Sequence, residues 1–171
     1  MSKTQLKKEI RALSKEQLEE LILEAYDFRK EIKQYFDYFL NPDVEKLYER
    51  YSADICKELT RGKRGYSKAR ITTIRRMHKE FASYHPGYDK EIDLIFYTIQ
   101  IALAQEKALR FSNPLSSGIG DMLLQVLAIA DRNFVADKVL ERLTRILHSE
   151  AAGSRYFRQY LRRRLEEYSP S

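Results

Sequence analysis

Between residues 61 and 80 the chain carries eight basic side chains and one acid, and the run RGKRGYSKAR (61–70) holds five cations, two glycines, a tyrosine and no carboxylate. Residues of these types at this spacing fit one chemistry above all, the neutralisation of successive phosphates. Arg61, Lys63 and Arg64 precede Ser67, which is placed to cap a helix whose free amides already favour anions. From that start, Lys68, Thr72, Arg75, Arg76 and Lys79 line one flank, while Ile71, Ile74, His78, Phe81 and Ala82 share an apolar face. Gly62 and Gly65 permit close backbone approach, and Tyr66 offers a ring for stacking on an unpaired base. The competing reading is a solvated flank whose charges are answered by acids elsewhere in the fold, and the sequence leaves both open. No base-reading module is recognisable, so the segment offers contact with a backbone rather than sequence readout.

A second basic cluster, Arg155, Arg158 and Arg162, falls on one face of a C-terminal helix whose apolar stripe is Phe157, Tyr160, Leu161, Leu165 and Tyr168. Arg162 and Arg163 stand four residues before Glu166 and Glu167, a spacing that predicts internal ion pairs and partial neutralisation. Little points to catalysis. His78, His85 and His148 are not in ligand spacing with Cys56 or with one another, and no His-Glu-x-x-His pattern occurs. His78 reads as a core-edge residue and Cys56 as a small buried hydrophobe. SSGIGDMLL lacks the full spacing of a phosphate-binding glycine motif and places Asp121 where an anion would sit, so it reads as a loop. The expectation is a protein that is not an enzyme, with no cofactor and no metal.

The elements that must position these residues are helical. The period is 3.6 throughout, with no convincing alternating strand. A short helix covers about 4–12. Ser14 with Gln17 is a capping box that opens a second helix, expected to run to about Leu40 with a heptad-like seam of Leu18, Leu21, Ala25, Phe28, Ile32, Tyr35 and Phe39. Asn41-Pro42 ends it and starts a third, about 42–60. Others are expected at about 67–84, 89–109, 121–130, 134–149 and 154–168, with RFSNPLSSGIG (110–120) as the one long loop. The helix from Asp89 is apolar on nearly every side between Ile92 and Ala104, which predicts a place at the centre. The class is therefore all-α: about eight helices in antiparallel pairs, one domain over 1–171, arranged as a short helical-repeat stack or a compact bundle.

The segment LSKEQLEELILEAYDFRKEIKQYFDYFLNPD, Leu13 to Asp43, resembles the opening of a bacterial family of small all-α proteins of unknown function. The matching residues, Leu18, Leu21, Ile22, Tyr35, Phe36, Leu40, Asn41 and Pro42, set helix packing and a helix–helix turn. The resemblance implies an all-α fold and a bacterial cytoplasm, and it supplies no catalytic residues.

Charge distribution ranks the functions. Residues 1–60 carry a net −2, 61–80 a net +7, 81–150 a net −2 and 151–171 a net +3, so all of the overall +6 sits in two short segments. That asymmetry points to a polyanionic partner, most simply a nucleic-acid backbone. The alternative is a protein-interaction scaffold that takes an acidic protein or a second copy of itself, since tyrosine and arginine are favoured at interfaces. The opening MSKTQLKKEIRALSKEQLEE is charged throughout, unlike a secretory leader, and no apolar run is long enough for a bilayer. With a single cysteine besides, the expected location is cytoplasmic. The oligomeric state is not legible.

Overall fold

The computed structural model describes residues 2–149 and 153–168. Among them the chain forms nine α-helices and one short β-hairpin, the all-α class expected, and no helix is long and apolar enough to cross a membrane. The chain divides into two compact units, Met1–Asp43 and Val44–Ser171.

The first unit holds α1 (Lys3–Ala12), α2 (Lys15–Phe28) and α3 (Lys30–Leu40). Ser2 with Gln5 and Ser14 with Gln17 form reciprocal capping boxes, each serine oxygen accepting from the glutamine N–H at 3.2 Å. The expected continuous helix to Leu40 breaks at Arg29, whose φ of −147° and ψ of 141° are extended. Neither glycine nor proline causes the break. It lets α3 fold back on α2, where Tyr26 and Phe36 meet ring to ring at 6.3 Å, Tyr26 donates to Asp37 Oδ1 at 3.0 Å and Lys33 sits over the Tyr26 ring. Tertiary contact here outweighs the weak local preference for continuing one helix. No side chain of α1, α2 or α3 is fully buried.

The second unit contains the core. Its elements are α4 (Val44–Leu59), β1 (Gly62–Lys63), β2 (Tyr66–Ser67), α5 (Ile71–Ser83), α6 (Tyr88–Glu106), α7 (Asn113–Arg132), α8 (Ala136–His148) and α9 (Arg155–Glu166). As expected, α6 is central: Ile92, Leu94, Ile95, Phe96, Ile99, Ala102 and Leu103 are buried, and it packs against α4, α5, α7 and α9. Each fully buried aliphatic or aromatic side chain contributes about 1.5–3 kcal/mol. α7 in turn meets α5, α8 and α9. Contacts that skip along the chain in this way make a compact bundle rather than a stack in which each helix pair meets only the next.

Residues 113–120 were expected to be loop and are instead the first turns of α7. Ser112 stands at its N-cap with Pro114 in the first turn, where a missing N–H costs nothing. Gly118 is a buried residue of α7, and the position calls for glycine because a Cβ there would overlap the Ile71 side chain at the start of α5. The glycines that resemble loop punctuation thus mark a close helix crossing.

Candidate polyanion interface

The largest departure from expectation falls on the basic run itself. Ser67 does not cap a helix; α5 begins four residues later, and residues 62–67 form the antiparallel pair β1–β2 with Gly62 opposite Ser67 and Lys63 opposite Tyr66. Arg64 and Gly65 make the two-residue turn, with φ of 53° and 78°. Both values are left-handed, the condition a type I′ turn imposes, and Asn-Gly is the usual solution. An arginine there costs roughly 1–2 kcal/mol.

The hairpin is fastened at its base and along one side. Glu58, buried at the end of α4, accepts from Arg61 Nη1 at 2.7 Å and from the Arg70 N–H at 2.8 Å, with Arg70 Nε 3.8 Å away. Burial alone would raise its pKa, but the hydrogen bonds from Arg61 and from the Arg70 backbone outweigh it and hold the carboxyl below its usual value. Lys68 N–H closes the base on the Arg61 carbonyl at 2.8 Å. On the other side Arg110 adds a single rung: its N–H donates to Gly65 O at 2.8 Å and its carbonyl accepts from Ser67 N–H at 3.0 Å.

The expected site residues therefore separate into two sets. Arg61 serves Glu58. Arg75 pairs with Asp121 at 2.7 Å and Arg76 with Glu80 at 3.3 Å. Lys63, Arg64, Lys68 and Lys79 are exposed and make no side-chain hydrogen bond or ion pair among the described residues, and the same is true of Arg110. Tyr66 stands between these cations 58% exposed, open enough to stack. Lys68 lies before α5 rather than on it, so the expected helical stripe shortens to Thr72, Arg75, Arg76 and Lys79. Arg110 was missed because it is distant in sequence, and only the hairpin rung brings it in.

The C-terminal cluster is put to another use. Arg162 donates through Nε and Nη2 to the Leu147 carbonyl at 3.1 and 2.8 Å, and Arg158 donates to the Ser149 carbonyl at 2.8 Å. They supply donors to carbonyls at the end of α8, where a helix leaves its last carbonyls without intrahelical partners. Arg155 remains exposed, and with His148, Arg158, Gln159 and Arg162 it lines a cleft of about 540 Å³. The expected pairing of Arg162 and Arg163 with Glu166 and Glu167 gives way to Arg164, which bridges Glu167 at 2.5 Å and Asp121 at 2.9 Å. Asp121 thereby joins α5, through Arg75, to α9. Positions 162 and 164 lie about 200° apart around a helix, so the α8-facing arginines do not extend the first cluster.

His78 is more buried than the core-edge place expected for it. The Thr98 hydroxyl gives its hydrogen to Leu94 O, so it accepts from His78 Nε2–H at 2.9 Å. Burial pushes the pKa of this imidazole down to about 4, and it is neutral near pH 7. Cys56 is half-buried in α4.

Among comparisons with known proteins, a model of a family of unknown function (DUF6155) matches residues 1–167, far beyond the segment Leu13 to Asp43 that carries the resemblance in sequence. Neither the curated proteins nor the solved structures give a significant match. The chain belongs to the DUF6155 family.

Proposed function

We propose that this member of a family of unknown function is a non-enzymatic, cytoplasmic binding protein. In this reading it grips a polyanion, most simply a nucleic-acid backbone, through the β1–β2 hairpin. Lys63, Arg64, Lys68 and Arg110 supply the cations, Tyr66 stacks on an exposed base, and Arg75, Arg76 and Lys79 extend the contact along α5. The observation that carries the reading is the contrast in pairing. Within a run of high positive charge, the side chains of Lys63, Arg64 and Lys68, like that of Arg110 beside them, make no hydrogen bond or ion pair among the described residues, and Arg64 occupies a left-handed position that arginine fills at a cost. Arg75 and Arg76 stay in the set because half-exposed ion pairs contribute only about 0–1 kcal/mol and yield readily to a phosphate.

Fluorescence anisotropy of labelled single- and double-stranded DNA and RNA against nuclease-treated protein tests this. The expected result is binding that weakens steeply with salt and that Lys63→Glu/Arg64→Glu weakens strongly and alike for all sequences. Equal binding by the reversed and natural proteins contradicts it.

A further inference from the structure

Residues 2–43 pose a separate problem. Their helices are well specified, with two capping boxes, yet none of their side chains is fully buried. Leu23 is 64% exposed, Phe28 74%, Phe39 65% and Leu40 69%. A segment of about 40 residues without disulfide or metal does not bury enough surface to hold itself together, and isolated helices this short are marginal in water. Apolar exposure this extended marks an interface.

The charges say what covers it. α1 carries Lys3, Lys7, Lys8 and Arg11 against Glu9 alone, whereas α2 carries five acids against Lys15 alone. Lys3, Lys7 and Arg11 recur every fourth residue and so form one stripe, beside Leu6 and Ile10. On α2, half-buried Leu18, Ala25 and Tyr26 mark the side towards α3, and the face around Leu23 bears Glu16, Glu20 and Asp27. Each of these faces pairs an apolar anchor with charge of one sign, and the two signs are opposite. A two-fold interface demands a surface complementary to itself, each copy contributing both halves. A foreign partner of either sign would match one helix and repel the other.

We infer that residues 2–43 join two copies of this chain, the basic stripe of α1 in each copy lying on the acidic face of α2 around Leu23 in the other. The pairing is independent of the hairpin, so Lys63→Glu/Arg64→Glu leaves it intact.

Sedimentation velocity of the full chain, across protein concentrations and at low salt, tests the inference through a charge exchange. The natural protein is expected to be a dimer. Lys7→Glu/Arg11→Glu and Glu20→Lys/Asp27→Lys each place like charges together at both contacts and should weaken association by roughly tenfold or more. Mixed one to one, the two variants regain opposite charges at both contacts and should form a mixed dimer, which a merely misfolded variant would not do. A natural protein that stays monomeric at every concentration overturns the inference, as do variants that dimerise normally or a mixture that fails to associate.

Discussion

At the hairpin, the side chains of Lys63, Arg64 and Lys68 reach no acceptor among the described residues, whereas in α9 Arg158, Arg162 and Arg164 are held by two carbonyls of the α8 end, Glu167 and Asp121. Both stretches are rich in positive charge, and position decides what that charge does. The arginines of α9 lie against a helix end with unsatisfied carbonyls and beside an acid of α7, and they become part of the fold. At the hairpin tip no described residue pairs with the side chains of Lys63 and Arg64, and their charges remain available. Density of positive charge alone is therefore a poor guide to a binding surface, and the pairing of each cation is a better one.

The contrast breaks most clearly on binding. At low salt, Lys63→Glu/Arg64→Glu should weaken polyanion affinity by roughly 100-fold, since each lost or reversed phosphate contact is a charge-assisted interaction worth more than 1 kcal/mol. Glu58→Gln tests the fastening of the hairpin. Losing a buried carboxylate that accepts two hydrogen bonds should lower stability by about 1–3 kcal/mol in urea unfolding. Because the Glu58 pKa is depressed by folding, its contribution is complete above the unfolded carboxyl value and disappears as pH falls through the lower folded one. The natural protein should lose that increment on acidification, and the glutamine variant should lack it at every pH.

Arg162→Met sharpens the other side. It keeps the apolar stem and removes the bonds to Leu147 O, so a loss of about 1–2 kcal/mol in stability should come with unchanged nucleic-acid affinity. The smallest effect is expected from Arg64→Asn, which suits the left-handed turn. It should raise stability by up to about 1 kcal/mol and weaken binding only severalfold, opposite signs that separate the turn's conformation from its charge.

Much of the frame was legible from sequence: the Ser14 capping box, the centrality of α6 and the concentration of charge near residue 70 each follow from local pattern. What was not legible depends on contacts distant in sequence. Nothing at Arg29 announces a break, because the cause is Tyr26 meeting Phe36 and Asp37. Arg-Gly hid the hairpin where Asn-Gly would have announced it, and Gly118 looked like loop until Ile71 was found against it. For the site, the residues of the tip were readable as a basic run. Their separation from Arg61 and Arg75 was not, since that depends on Glu58 as a buried acid and on Asp121, 46 positions from its arginine.

The most direct measurement is the salt dependence of nucleic-acid affinity for the natural protein beside Lys63→Glu/Arg64→Glu. On duplex DNA the logarithm of the binding constant changes by about 0.9 per phosphate contact for each decade of salt. The natural protein should show a steep slope, and in the variant it should become shallower by about 2. Identical slopes for the two proteins, or no dependence on salt in the natural one, would contradict a hairpin that engages phosphates.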